Sequence, residues 1–152
     1  MSDDFRADFL GAFAVATRGD RTLMVANERR IGGQLVTTWD LPGGRVEAGE
    51  LLGEALDREL REEIGLGLVG APRFLFVQEG ERVAGGRRVH AWRSVFFAVE
   101  LAPGEPVAGH EVQAVRWCDR RELAAALTAP YHDSFCRWLR DGGSYFTSAW
   151  CD

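Results

Sequence analysis

The chain contains no lysine: all eighteen of its basic residues are arginine. The plainest source of that bias is codon usage, so it selects no function by itself. Nor does any apolar run approach the ~20 residues that a membrane-spanning helix needs, so no membrane partner is expected. Cysteine is scarce. Cys118, Cys136 and Cys151 are odd in number and widely spaced, with no C-x-x-C pair and no Cys/His cluster. That argues against both a zinc site and a disulfide framework. The N-terminus, MSDDFRADFLGAFAVAT, lacks the basic region of a secretory signal and places Asp3, Asp4 and Asp8 before its apolar stretch. These absences predict a reduced, cytoplasmic protein. An excess of positive charge is lacking too. Eighteen basic against 23 acidic side chains give a net charge of −5. That is a poor start for a duplex-DNA binder, and no stable nucleic-acid partner is expected. A small anionic substrate is not excluded, because net charge says nothing about one pocket.

What is present describes one globular domain spanning residues 1–152. A hydrophobic content of 46% with 27% charged residues is ordinary for such a domain. Phe9 to Thr17 and Thr22 to Asn27 read as strands about a turn at Arg18–Arg21, and Glu28 to Thr38 reads as a polar loop. Leu51 to Ile64 is the best helix in the sequence. Arg73 to Gln78 and Val89 to Leu101 read as strands joined by a glycine-rich connection, Glu79 to Arg88. Val112 to Cys118 reads as a strand and Arg120 to Leu127 as a short helix. From about residue 130 an aromatic tail follows, in which Tyr131, Phe135, Trp138 and Leu139 predict a last amphipathic helix. The order predicts an α/β fold, a mixed β-sheet between helices. The tail is expected to dock on its own domain or on a second copy, giving a monomer or a homodimer. His90, His110 and His132 stand alone and read as structural or surface residues.

The helix carries more than fold information. Leu52, Leu56, Leu60 and Ile64 recur at i+4 on an inward arc, and Gly65 sits where a C-terminal cap belongs. Glu50, Glu54, Asp57, Arg58 and Arg61 fall on the far, solvated side. Glu59, Glu62 and Glu63 project within or beside the inward arc, so three carboxylates turn toward the protein body. Spaced at i, i+3 and i+4, they are close neighbours and repel. A hard divalent cation relieves that repulsion, and clustered carboxylate oxygens suit Mg²⁺ or Mn²⁺.

From Gly44 the chain reads Gly, five residues, Glu50, seven residues, Arg58-Glu59-Leu60, one residue, Glu62-Glu63, one residue, Gly65-Leu66. This matches every fixed position of the Nudix box, G-x5-E-x7-R-E-U-x-E-E-x-G-U, where U is aliphatic. Nine such positions coincide by chance at roughly 10⁻⁹ per start point. The chain resembles the Nudix hydrolase family, and Trp39-Asp40-Leu41-Pro42-Gly43 ahead of the box is similar to it as well.

The resemblance implies a Nudix-type α/β/α sandwich. It implies a hydrolase that cleaves the diphosphate bond of a nucleoside diphosphate linked to another group, with Mg²⁺ or Mn²⁺ as cofactor. Carried across, Glu59, Glu62 and Glu63 are the helix's metal ligands, and Glu59 also positions or deprotonates the attacking water. The carbonyl of Gly43 is a further ligand, and Glu50 with Arg58 is an orienting pair. Members of the family often add a carboxylate from a later loop, for which Glu111 is the best match, with Glu79 and Glu81 as rivals for the general base.

For substrate, Arg29 and Arg30 are candidate phosphate contacts, because arginine donates to phosphate in a bidentate fashion. Among Trp39, Phe74, Phe76 and Trp92, Trp92 is the preferred base platform. Subfamily marks downstream of the box are missing, with Glu81 where ADP-ribose hydrolases carry proline and Ala84 where dinucleoside polyphosphate hydrolases carry tyrosine. A nucleoside triphosphate, oxidised or not, or a nucleoside diphosphate derivative remains. The alternative from another class is a non-catalytic sensor of a nucleotide metabolite, against which the intact glutamate set argues. A Nudix-fold isomerase is disfavoured because no cysteine lies near the box. Seven acids and three arginines fall between Gly44 and Leu66, so four of the five net negative charges sit in this one segment.

Overall fold

The computed structural model describes residues 8–31, 33–126 and 132–151. In chain order these form β1 (Phe9–Arg18), β2 (Arg21–Ile31), β3 (Gln34–Asp40), β4 (Gly43–Arg45), α1 (Leu52–Ile64), β5 (Leu68–Ala84), β6 (Arg87–Leu101), β7 (Ala114–Asp119), α2 (Arg120–Ala126), α3 (His132–Asp141) and β8 (Tyr145–Cys151). The strand order is β3-β2-β1-β6-β5-β8, with β4 paired to β1 and β7 to β2. β1 runs parallel to β6 from Phe9 to Ala16 and antiparallel to β4, while its last residues turn into β2. The sheet is therefore mixed, as the sequence predicts.

β1 explains the layers. Its interior is apolar on both faces, as a strand covered on both sides must be. Ala12, Ala14 and Ala16 face one way and pack with Leu56, Leu60 and Ile64 of α1. Phe13 and Val15 face the other way and pack with Phe76, Phe96, Leu123 of α2 and Phe135 of α3. Small residues on the first face let α1 lie close to the sheet, and that closeness brings its glutamates over β4. Leu60 is wholly buried, and truncating such a leucine to alanine costs about 2–5 kcal/mol.

Three expectations change. The expected loop Glu28–Thr38 is instead the ends of β2 and β3, paired in register from Asn27↔Thr38 to Ile31↔Gln34. Its polar composition disguised a strand pair whose exposed face is wet. The expected connection Glu79–Arg88 is also mostly strand, and β5 and β6 pair as far as Ala84↔Arg87 about a Gly85-Gly86 turn. The tail holds a strand that helical spacing did not reveal: β8 lies parallel to β5 from Val77↔Tyr145 to Val83↔Cys151. The tail docks on its own domain. Phe135 is buried, Phe76 stacks on Trp138, and Phe146 meets Phe76 edge-on. Tyr131, Leu127 and the N-terminal acids Asp3 and Asp4 lie outside the described residues. Among the described residues, no helix is long and apolar enough to cross a membrane.

Candidate metal centre and substrate cleft

The segment before α1 is shaped by its own hydrogen bonds. The N–H of Glu47 donates to Glu50 Oε1 (2.8 Å) and that of Leu51 to Glu54 Oε1 (2.9 Å). The helix starts at Leu52, one residue later than its pattern suggests, and Gly65 closes it in the left-handed conformation. Glu50 then grips Arg58 in a bidentate pair, with Nε donating to Oε2 at 2.7 Å and Nη2 to Oε1 at 2.9 Å. Nη2 also donates to the carbonyl of Arg45 on β4 (3.0 Å). Helix, loop and strand are thereby fastened together. Contrary to the helical-wheel reading, Arg58 is not on an open solvated face but half-buried in this clamp. The guanidinium holds the Glu50 carboxyl down to a pKa of about 2.

Arg58 also reaches the acidic end of the helix, where Nη1 donates to Glu59 Oε1 (3.0 Å) and Glu62 Oε2 (3.3 Å). One oxygen each from Glu59, Glu62 and Glu111 lie within 4.8 Å of one another. Glu59 fits over Gly44, where a Cβ would come 2.7 Å from its carboxyl carbon. Burial pushes the Glu59 carboxyl up, against the pull of Arg58. Glu63 is 3% exposed. Its Oε1 accepts the N–H of Gly43 at 2.9 Å. Burial, aided by the charges of Glu59, Glu111 and Asp40, pushes its pKa up to about 9 despite that hydrogen bond. Glu62 departs from the expected inward direction, with its side chain 43% exposed.

Glu111 arrives on a loop that docks on the end of α1. Val107 N–H donates to the carbonyl of Ile64 (3.0 Å) and Gly109 N–H to that of Glu63 (2.8 Å). These are last-turn carbonyls that a helix cannot satisfy internally. The fit at Gly109 is close, since a Cβ there would stand 1.9 Å from the carbonyl oxygen of Glu62. The grouped oxygens of Glu59, Glu62 and Glu111, with the buried carboxyl of Glu63 beside them, offer a hard, all-oxygen donor set. Such a set fits Mg²⁺ or Mn²⁺ rather than a soft metal.

The cleft beside these glutamates measures about 570 Å³ and includes Phe9, Asn27, Arg29, Glu59, Glu63 and Glu111 in its lining. Arg29 lies on β2, with its Nε donating to Thr38 Oγ1 (3.1 Å) and its Nη2 to Asp40 Oδ2 (3.0 Å). Arg30 is not among the lining residues; it leaves the strand on the opposite face and donates to the carbonyl of Gly33 (3.3 Å). Trp92 is not there either. It is 5% exposed, stacked beside Phe9, with its Nε1 donating to Gln78 Oε1 (3.0 Å). The aromatic rings of the cleft belong to Phe9 and Phe13. Glu79 and Glu81 belong to a separate pocket, where Glu79 accepts the Tyr145 hydroxyl (2.6 Å) and Glu81 pairs with Arg88 (3.1 Å). Sequence reasoning missed Asp40, Asn27, Phe9 and Gly109. Each is defined by contacts across the sheet or between loop and helix, which no pattern within its own segment reports.

A family model described as NUDIX domain matches residues 8–139. The chain belongs to the Nudix family. It is 37% identical over 95 residues to a CTP pyrophosphohydrolase of Escherichia coli, a match covering 60% of this chain and 63% of that protein's length. It is 32% identical over 106 residues to an 8-oxo-dGTP diphosphatase of Haemophilus influenzae, covering 68% and 71%. The fold is similar to that of a mutator MutT protein from Bacillus halodurans, with a TM-score of 0.76 at 23% identity over 94% of this chain and 90% of the other. The α/β/α sandwich expected for a Nudix chain is thus the fold observed.

Proposed function

We propose that this Nudix protein hydrolyses the diphosphate bond of a nucleoside triphosphate, or of a related nucleoside diphosphate derivative, by water attack at phosphorus. The observation that carries the proposal is the meeting of Glu59, Glu62 and Glu111 oxygens within 4.8 Å beside a cleft lined by Glu59, Glu63, Glu111 and Arg29. The cleft's volume falls in the range of about 300–1,000 Å³ common for small-molecule sites. Relatives named for CTP and 8-oxo-dGTP support the triphosphate.

Glu59, Glu62, Glu63 and Glu111, with the carbonyl of Gly43, would hold Mg²⁺ or Mn²⁺. When bound, such an ion supplies neutralisation of phosphoryl charge and a lowered pKa for water. The chain's own residues do the rest. Arg58 and Glu50 hold Glu59 in place. Glu59 or Glu111 takes the proton of the attacking water, a role typically worth 10²–10⁴-fold. Arg29 binds a substrate phosphate, while Phe9, buttressed by Trp92, offers a flat apolar wall beside the cleft. The same reading keeps the reduced, cytoplasmic setting that the odd number and wide spacing of Cys118, Cys136 and Cys151 suggest.

The test is release of phosphate or pyrophosphate from (d)NTPs, 8-oxo-dGTP, ADP-ribose, sugar nucleotides and dinucleoside polyphosphates, with Mg²⁺, Mn²⁺ or EDTA. Metal-dependent release from a nucleoside triphosphate is expected, and EDTA abolishes it. Binding across the panel without turnover would instead make the protein a nucleotide sensor.

A further inference from the structure

Asp40 is a carboxylate only 1% exposed, buried directly behind two residues that line the cleft, Asn27 and Arg29. It accepts three neighbours: Arg29 Nη2 at 3.0 Å, Asn27 Nδ2 at 2.5 Å and Thr38 Oγ1 at 3.4 Å. Thr38 in turn accepts Arg29 Nε at 3.1 Å. The register Asn27↔Thr38 places Asn27, Arg29, Thr38 and Asp40 on one face of the β2–β3 pair, and Arg29 and Asn27 both line the cleft. Asp40 lies beneath them. Two of the three guanidinium nitrogens of Arg29 are thus committed to this frame. Its Nη1 makes no hydrogen bond to the described residues, and its side chain remains 35% exposed.

A buried carboxylate is a poor way to obtain stability, since an apolar residue of similar volume often serves as well. What it obtains is orientation. A free arginine side chain samples many rotamers, and tying Nε and Nη2 removes that freedom before a ligand arrives. We infer that Asp40 is a positioning residue, which with Thr38 fixes Arg29 so that Nη1 is presented to a phosphate group of the nucleotide. The inference rests on the nucleotide-binding reading given above and adds to it the residue that sets phosphate affinity.

The experiment is a double-mutant cycle on the full chain with saturating Mg²⁺. It uses the triphosphate selected by the panel for kinetics and its α,β-methylene analogue for binding. Arg29→Ala is expected to raise KM and Kd about tenfold or more, the worth of one hydrogen bond between charged groups, with kcat changed far less. Asp40→Asn should raise both severalfold in the native background and have no further effect in Arg29→Ala, because the two act as one unit. Thr38→Val, which keeps the shape and removes the bridging hydroxyl, should show the same dependence with a smaller effect, and it serves if Asp40→Asn does not fold. Equal factors in both backgrounds overturn the inference. So does an Asp40→Asn effect confined to kcat and Mn²⁺ affinity, which would assign Asp40 to the metal centre. If the protein binds the analogue without hydrolysing any triphosphate, the hydrolase reading fails while the cycle in Kd still decides Asp40. If it binds no nucleotide, both fall.

Discussion

Arg58 and Arg29 are both held by acidic partners in the same part of the molecule, and they do opposite jobs. Every nitrogen of Arg58 is spent inside the protein: Nε and Nη2 on Glu50, Nη2 again on the Arg45 carbonyl, Nη1 on Glu59 and Glu62. Arg29 keeps one nitrogen in hand above a buried carboxylate. A saturated arginine is architecture, and an arginine tied on two sides with a third left open is a prepared ligand contact. The difference lies in the number and placement of acceptors, not in the residue type.

The largest effects should come from the carboxylates that the Arg58 clamp arranges. Glu59→Gln or Glu63→Gln is expected to cut kcat by about 10²–10⁴-fold with the fold intact, and near-normal Mg²⁺-dependent hydrolysis by either variant would sink the ligand assignment. Glu63→Gln carries a second signature. In the metal-free protein the Glu63 pKa is raised to about 9, above the ordinary value of about 4.3 for a glutamate in the unfolded chain. Stability is therefore fully present below the unfolded pKa and is lost as pH rises toward 9. Thermal melts of metal-free wild type between pH 5 and 9, a range on the order of four pH steps, should fall more steeply than those of Glu63→Gln. Equal slopes would count against a buried, charge-averse Glu63.

Next in size is Arg58→Ala. Its removal frees Glu50 and Glu59 together, and loss of such a supporting contact typically costs about 10–100-fold in metal affinity or activity. Here the pH dependence runs the other way. The Glu50 pKa is depressed to about 2, so the pair's contribution is present above the unfolded carboxylate pKa and is lost as pH falls toward 2. Wild type should lose stability to acid across that window, and Arg58→Ala should lose less of it there. Acid melts of the two proteins that run parallel would leave the clamp without a stabilising role.

Gly109→Ala sharpens the contrast from the loop side. The new Cβ collides with the Glu62 carbonyl, so the loop must lift and carry Glu111 away from Glu59. Weaker Mn²⁺ binding and a loss of turnover smaller than for Glu59→Gln are expected, because the helix ligands remain. Unchanged Mn²⁺ affinity, measured by electron paramagnetic resonance, would remove Glu111 from the centre.

How far the sequence disclosed this arrangement depended on the kind of signal. Leu56, Leu60 and Ile64 with Gly65 behind them were legible, because helical periodicity and a cap are local properties. The inward turn of Glu59 and Glu63 was legible because spacing is local too, whereas the outward turn of Glu62 was not. Arg29 and Arg30 were indistinguishable while their segment read as a loop, since only strand alternation sends one to the cleft and the other away. Asp40 and Gly109 were silent for a deeper reason. Each matters through contacts with residues far along the chain, Arg29 and Asn27 in one case and the backbone of Glu62 and Glu63 in the other. No pattern in one segment reports those. Trp92 shows the converse: a large aromatic on a strand reads as a base platform, but its burial and its hydrogen bond to Gln78 make it the support of Phe9 rather than the wall itself.

The smallest expected effect is the most pointed test of the comparison. Arg30 is adjacent to Arg29, has the same charge and is more exposed, so a contact with substrate through long-range attraction alone would involve both. Surface charges separated from a ligand by more than about 8–10 Å are largely screened at physiological salt. Turned to the opposite face, where among the described residues it donates to the Gly33 carbonyl, Arg30 should contribute little. Arg30→Ala is expected to leave KM within about twofold of wild type at 0.15 M salt, with a modest rise only when salt is lowered. A KM increase matching that of Arg29→Ala at physiological salt would mean that charge density, rather than the frame built by Thr38 and Asp40, recruits the phosphate.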